Sequence, residues 1–142
     1  MAKKFMARHN HWLKYAQDDL YLAKISLSPE HVIVFAALFH AQQCAEKSLK
    51  AYLAFKNKMP PRTHDLCFLI RLCAQFDYKF NSCFEDALDL KPFASTTRYP
   101  DDMCFFPELT VTRSLIEKAE KMLSFVIETI EYESLLMKKS KF

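Results

Sequence analysis

The residues of this sequence best suited to binding an anion lie on one predicted helix. At 100° per residue, an arc of about 140° would hold a cluster of polar side chains. These are Gln42, Gln43, Glu46, Lys47 and Lys50. Lysine is a common ligand of phosphate, and a glutamate four residues before a lysine can hold it in place. The pattern alone favours another interpretation: the first half of the helix is buried all round, the second half meets solvent, and Glu46 and Lys50 are a simple ion pair.

Two further segments carry residues that could do chemistry. Arg98 could grip a phosphate bidentately while the ring of Tyr99 stacks on a base. Equally, Arg98 could tie its loop to a carboxylate of the protein core, with Pro100 stiffening the turn. His64 could be an imidazole oriented by Asp65. The favoured interpretation is that Asp65 stabilises a helix N-terminus and that His64 is incidental polarity.

The sequence argues against metal and cofactor chemistry. His64, Cys67 and Cys73 could be called a metal set, but the cysteines lie on a predicted apolar seam and no fourth ligand is evident, so core packing is favoured. No glutamate has a histidine three residues on, which excludes a di-iron bundle. The chain contains no glycine, which excludes Walker loops, Rossmann fingerprints and nucleophile elbows. We therefore expect no metal and no cofactor.

Apolar periodicity predicts the helices that would position these residues. The predicted spans are about His11 to Leu27, Ser28 to Lys56, Thr63 to Asp77, Ser82 to Pro92 and Pro107 to Met137. Ser28, Thr63 and Ser82 are the expected N-terminal caps, and Asn57 is the expected left-handed terminator of the second helix. No strand-like alternation appears. The prediction is therefore an all-α fold, an up-and-down antiparallel helical bundle of four long helices plus one short helix.

Length and charge set the broad class of the protein. The 142 residues fit a single domain over 1–142, with the basic ends 1–10 and 138–142 expected to fray. A formal charge of +3 is too small to demand nucleic acid as a partner. The longest apolar run, Val32 to Phe39, is far shorter than the roughly 20 residues that cross a bilayer, and no secretory signal is evident. Five scattered cysteines favour reduced thiols. We therefore expect a cytoplasmic protein with no membrane contact.

Three segments, taken together, resemble the signature blocks of the HEPN family. They are Phe39 to Leu53, His64 to Leu66 and Arg98 to Asp101, and their order and spacing also agree. The resemblance covers about residues 10 to 135. It implies a helical bundle that is usually a homodimer and is associated with nucleotide or RNA binding. Small prokaryotic members often accompany a minimal nucleotidyltransferase, in an arrangement like that of toxin–antitoxin pairs.

One departure from the family pattern bears on catalysis. Many HEPN proteins are metal-independent ribonucleases in which an arginine is followed, after four to six residues, by a histidine. Arg98 would be the matching arginine here, and the places for the histidine hold Met103, Cys104 and Phe105. None of these can act as a general acid or base near neutral pH as imidazole does. The departure argues against ribonuclease activity.

Three hypotheses follow from the sequence. The first is a non-catalytic HEPN module that binds a nucleotide or RNA, or serves as the accessory subunit of a nucleotidyltransferase. Its ligand contacts would be Arg98, Tyr99, Gln43, Lys47 and Lys50, with Glu46 and Asp65 orienting the cations. The second is a ribonuclease that uses Arg98 with His64 as an atypical base. The third is a protein-interaction module that uses the wide apolar arc of the last helix.

Overall fold

The structure, a computed structural model, describes residues 8–95 and 107–140. Its α-helices are α1 (Arg8–Ile25), α2 (Val34–Phe55), α3 (Leu66–Ala74), α4 (Phe84–Leu90) and α5 (Leu109–Lys139). Two 3-10 helices, Tyr78–Cys83 and Lys91–Ala94, flank α4. No strand occurs in the two described ranges. The predicted all-α helical bundle is confirmed, although α3 is shorter than the predicted third helix.

Helix α2 is the centre of the bundle. It packs against α1, α3, α4, α5 and the second 3-10 helix. Ala37, Ala41, Ala45 and Ser48 are fully buried, and these small side chains form a face that another helix can approach closely. The Sγ atom of Cys44, on the same side, lies 3.9 Å from a backbone carbonyl oxygen of α5. The polar arc of α2 is therefore held in place from several sides.

The predicted start of α2 is wrong. The helix begins at Val34, six residues after Ser28. Ser28 does not cap it, because its hydroxyl donates to the carboxylate of Glu30 at 3.0 Å. The intervening residues form a turn, which the N–H of Ile33 closes by donating to the carbonyl of Ser26 at 2.7 Å. The N–H groups of His31 and Ile33 therefore donate to backbone carbonyls within this turn, outside α2.

The predicted end of α2 is confirmed. Asn57 has φ 60°, the left-handed conformation expected of a terminator. Its N–H donates to the carbonyl of Ala54 at 3.0 Å, and the N–H of Lys58 donates to that of Leu53 at 2.9 Å. This pair of bonds is the Schellman arrangement. It directs the chain toward the segment that carries His64.

The N-terminal cap of α3 is Asp65, two residues after the predicted cap Thr63. The carboxylate of Asp65 accepts from the N–H groups of Cys67 at 3.0 Å and Phe68 at 3.2 Å. Thr63 supports the cap indirectly, because its hydroxyl oxygen accepts from the N–H of Asp65 at 3.2 Å. Ser82, the other expected cap, does not cap α4, since its hydroxyl donates to a backbone carbonyl within the first 3-10 helix at 2.8 Å.

Helix α5 is 31 residues long and closes the bundle. Its apolar residues Leu115, Ala119, Met122 and Val126, spaced three or four apart, are buried. Toward its C-terminal end the helix exposes Tyr132, Leu135, Leu136 and Met137. Within the described ranges, residues 8–10 and 138–139, which were expected to fray, are helical. Within the described ranges, no helix combines the length and apolar character that crossing a membrane requires.

Candidate functional site

The second half of α2 is the more buried half, contrary to the interpretation that the pattern alone favoured. Gln42 is fully buried, and Glu46 and Lys50 are only 3% and 6% exposed. In the first half, by contrast, Phe35 is 48% exposed. Helix α1 covers one edge of the polar arc, and the segment before α3 covers the other. The Glu46–Lys50 pair is therefore a buried ion pair, which is a different object from a surface pair.

A buried carboxylate organises the polar arc. One oxygen of Glu46 accepts from the side-chain amides of Gln42 and Gln43, both at 3.3 Å, and lies 2.9 Å from Nδ1 of His64. The other oxygen accepts from Nζ of Lys50 at 3.0 Å. We call these five residues the Glu46 cluster. Its charged members compensate each other, and the amides complete the hydrogen bonding that a buried carboxylate needs.

His64 is the member of the Glu46 cluster that faces outward. Its side chain is 71% exposed, whereas the side chain of Glu46 is 4% exposed. Because Nδ1 is the atom that meets the carboxylate, Nε2 is the ring nitrogen left for other contacts. The predicted orienting carboxylate, Asp65, is not the one that holds the imidazole. Glu46, 18 residues away in sequence, does so.

Asp65 has a separate role. Besides capping α3, it lies 3.5 Å from Nζ of Lys91 in the second 3-10 helix. Partial burial acts to raise the pKa of Asp65, but the N–H of Phe68 and the charge of Lys91 outweigh it and lower that pKa. The favoured interpretation of Asp65 as a helix N-terminal residue is confirmed. It does not contact the cations of α2.

A second buried carboxylate lies on the other edge of the arc. The side chain of Asp19 in α1 is 8% exposed. One of its oxygens lies 2.8 Å from Nδ1 of His40, and the other accepts from Nζ of Lys47 at 2.6 Å. We call these three residues the Asp19 cluster. Sequence reasoning missed Asp19 and His40. Asp19 lies three residues after Ala16 and four before Ala23, and this helical spacing, which places it on the same side of α1 as two small apolar residues, could have indicated its burial.

Both lysines of the arc also lie against aromatic rings of α1. Nζ of Lys47 is 5.7 Å from the ring centre of Tyr15, and Nζ of Lys50 is 5.7 Å from that of Trp12. These distances suit cation–π attraction. The Lys50 side chain is 8% exposed and that of Lys47 is 24% exposed. Lys47 is therefore the lysine of the arc that a ligand can more easily reach.

The structure brings together part of the predicted site. Gln43, Glu46, Lys50 and His64 meet in the Glu46 cluster. Lys47 lies on the same helix but belongs to the Asp19 cluster. The other two predicted ligand-binding residues, Arg98 and Tyr99, lie outside the described residues.

The cysteines of the candidate metal set are core residues. Cys67 and Cys73 are 5% and 0% exposed and pack in the apolar core, which confirms the favoured interpretation. Burial raises the pKa of both thiols, and it raises that of Cys44 to about 12. Over the ranges 8–95 and 107–140, no three histidine, cysteine or acidic side chains form a group that could hold a metal ion.

Comparison with known proteins places this arrangement in a family. A model of the HEPN domain matches residues 9–131. The chain belongs to the HEPN family. The crystal structure of ST0689, described as an archaeal HEPN homologue, aligns with a TM-score of 0.65 and 25% sequence identity. The alignment covers 87% of this chain and 98% of that one. No curated protein gives a significant match.

The polar arc of α2 lies inside the part of the chain that matches the HEPN domain. The match over residues 9–131 includes α1, α2 and α3, and therefore both clusters. The resemblance that grouped Phe39 to Leu53 with His64 to Leu66 also corresponds to a physical contact, because Glu46 in the first segment binds His64 in the second. Two sequence blocks of this HEPN domain thus form one hydrogen-bonded unit.

Proposed function

We propose that this HEPN domain is a non-catalytic module that binds a nucleotide or an RNA segment, alone or as the accessory subunit of a minimal nucleotidyltransferase. The supporting observation is the Glu46 cluster. In it a carboxylate with a 4% exposed side chain holds His64, whose ring is 71% exposed, by one nitrogen. The outward nitrogen is thereby available, and a protonated imidazole in this position can donate to a phosphate oxygen.

The surroundings of the cluster also suit an anion. Lys47 is 24% exposed on the same arc, and its position is set by Asp19. Gln43, a member of the Glu46 cluster, adds a partly buried amide. Lys50 has a structural role in this proposal, since it neutralises Glu46 from within. The ligand would therefore meet His64 and Lys47 directly, with Arg98 as the third expected contact.

The proposed assembly is a homodimer in the cytoplasm. Four apolar or aromatic side chains near the C-terminal end of α5, from Tyr132 to Met137, are between 47% and 62% exposed. Apolar groups of this kind, close together on one helix, are typical of an association surface. The free cysteines among the described residues are buried, which suits a reducing compartment.

Titration of labelled single-stranded RNA and of ATP tests the proposal. We expect the wild-type protein to bind one of them, and Arg98→Ala and Lys47→Met each to weaken binding by about tenfold, as loss of one charge-assisted contact implies. Lys14→Met is the matched control, because Lys14 is an exposed lysine of α1 whose only ion pair among the described residues is with Asp18. A wild-type protein that binds neither ligand would refute the proposal.

The accessory role has its own test. Co-expression with a nucleotidyltransferase encoded beside it should yield a complex that survives affinity purification and gel filtration. A protein that elutes at the same volume with and without the nucleotidyltransferase would exclude the accessory role and leave ligand binding to be judged by titration.

A ribonuclease is the second candidate, and the geometry of His64 is the observation that favours it. A carboxylate at 2.9 Å from Nδ1 and an exposed ring are what a general base requires. Incubation of labelled RNA with the protein in chelator, beside His64→Gln prepared in the same way, tests it. Cleavage that disappears in His64→Gln supports the enzyme. RNA left intact by both proteins excludes it.

A further inference from the structure

Two adjacent clefts open where the first turns of α1 meet the end of α2. One has a volume of about 480 Å³ and is lined by residues that include Arg8, His11, Trp12, Lys58 and Met59. The other has a volume of about 310 Å³ and is lined by His11, Trp12, Tyr15 and Lys47. The clefts share His11 and Trp12 and so form one continuous surface, which we call the α1 platform. Of its lining residues, the function proposed above uses only Lys47.

The charge of the α1 platform has one sign. Every ionisable side chain that lines the two clefts within the described chain is basic, an imidazole or a tyrosine, and no carboxylate lines either of them. Lys47 is neutralised from inside by Asp19, but Lys58 lies exposed just after the end of α2. The platform therefore favours a ligand with negative charge at the Lys58 end.

The two aromatic rings of the α1 platform contact the packed bundle. Trp12 is partly buried against the apolar core, and Nζ of Lys50 lies 5.7 Å from its ring centre. Tyr15 is 61% exposed, and Nζ of Lys47 lies at the same distance from its ring. Trp12 and Tyr15 are one helical turn apart on α1, so both rings project along one side of that helix. Two aromatic rings beside cations are the arrangement on which successive bases of a single strand stack.

We propose that the α1 platform binds single-stranded nucleic acid, with neighbouring bases on Trp12 and Tyr15 and the backbone toward Lys58. This proposal rests on the nucleotide or RNA binding proposed above and names a surface and a ligand form for it. A lone nucleotide has the same chemistry, a base and a phosphate, but it would fill one cleft. Each of the two clefts falls within the usual range of ligand pockets, about 300 to 1,000 Å³, and the two share the Trp12 ring. Two such clefts favour a single-stranded nucleic acid over one nucleotide.

Fluorescence tests the platform directly, because Trp12 is the only tryptophan in the sequence. The probes are a single-stranded RNA hexamer, ATP and inorganic triphosphate, with free N-acetyltryptophanamide as the correction for light absorbed by the bases. We expect the hexamer to quench the fluorescence of Trp12. The dissociation constant from this quenching should equal the one measured by fluorescence anisotropy of a labelled hexamer. We expect ATP to bind at least tenfold more weakly and triphosphate, which has no base, to leave the emission unchanged.

A pair of tyrosine variants separates the platform from the rest of α1. Tyr15→Leu removes one stacking ring and should weaken hexamer binding by about 5- to 150-fold, the range that corresponds to one stacked base. Tyr21→Leu is the matched control, since Tyr21 is 65% exposed on the same helix and lines neither cleft. Lys58→Ala should lower the slope of log affinity against log salt by about one. Circular dichroism melts confirm that each variant is folded.

The outcomes distinguish this proposal from the proposed function. If anisotropy detects binding while Trp12 emission is unchanged and Tyr15→Leu binds as the wild type does, the platform is wrong and RNA binding elsewhere stands. Equal losses in Tyr15→Leu and Tyr21→Leu would also overturn the platform. ATP that binds as tightly as the hexamer would replace the strand by a mononucleotide. If neither method detects binding of any probe, both proposals fall.

Discussion

Replacing Lys50 by methionine tests whether the Glu46 cluster is a charged unit inside the protein. The Lys50 and Glu46 side chains are 8% and 4% exposed, so the variant leaves a carboxylate without its buried cation. Removing one partner of such a pair costs about 3 to 5 kcal/mol, largely because the remaining charge is uncompensated. The bonds from Gln42, Gln43 and His64 remain, and the flexible apolar chain of methionine can fill most of the space that the lysine stem occupied. We therefore expect the lower end, about 3 kcal/mol.

Urea unfolding followed by circular dichroism at 222 nm measures this loss. The expected result is a lower midpoint with an unchanged m value, and a melting temperature lower by about 6 to 12 °C. Lys14→Met is the control, because the side chains of Lys14 and Asp18 are 71% and 52% exposed and such pairs contribute about 1 kcal/mol or less. The double variant Glu46→Gln, Lys50→Met should recover much of the loss, since no buried charge is left uncompensated.

The same measurement can contradict the cluster. A Lys50→Met variant that loses less than about 1 kcal/mol relative to wild type would refute a buried Glu46 that depends on the charge of Lys50.

Three other perturbations test separate parts of the fold. Asp65→Ala should lower the free energy of unfolding by about 1 kcal/mol and Asp65→Asn by less, because asparagine can still cap α3. The folded state lowers the pKa of Asp65 below 3.8, so the charge of this carboxylate contributes stability above about pH 4. The difference in unfolding free energy between Asp65→Ala and wild type should therefore become smaller as acid protonates Asp65. Burial raises the pKa of Cys44 to about 12, so iodoacetamide at neutral pH should label it slowly in the native protein and rapidly in urea, as mass spectrometry can measure. Phe80→Ala should lower the free energy of unfolding by about 3 to 5 kcal/mol in the same urea assay, because Phe80 is fully buried between the rings of Tyr52 and Phe125, at 4.5 and 5.0 Å.

Helix periodicity predicted the long elements of the fold because local spacing decides them. Apolar residues recur every three to four positions along α1 and along α5, and the structure contains both helices. Asn57 was predictable for a similar reason, since a chain with no glycine has few residues that accept positive φ. Helix starts were less predictable. A serine before a proline looks like a cap, but the hydroxyl of Ser28 can bond Glu30 as well as a backbone group.

The contacts of the candidate site were not predictable from local spacing. Asp19 and His40 are 21 residues apart, and Glu46 and His64 are 18 apart, so each contact depends on how two elements pack. Amphipathic reasoning placed the second half of α2 in solvent because it counts charges and assumes that they face water. It has no means of recognising charges that are buried with partners from other helices. Family resemblance grouped the blocks around Glu46 and His64, but it did not indicate the bond between them.

The Glu46 and Asp19 clusters orient two histidine side chains as well as pairing buried charges. A buried ion pair is often no more stable than apolar residues of similar volume, so Asp19–Lys47 and Glu46–Lys50 have no clear advantage over leucines in the same places. What apolar residues could not do is hold an imidazole by Nδ1. Each carboxylate does this for one histidine at the edge of α2, with His40 25% and His64 71% exposed. Each carboxylate also forms an ion pair with a lysine of α2, at 2.6 Å for Asp19 and 3.0 Å for Glu46, so its second oxygen has a partner while the first holds the ring. The polar half of α2 is therefore best understood as the part of the bundle that sets the direction of these two side chains.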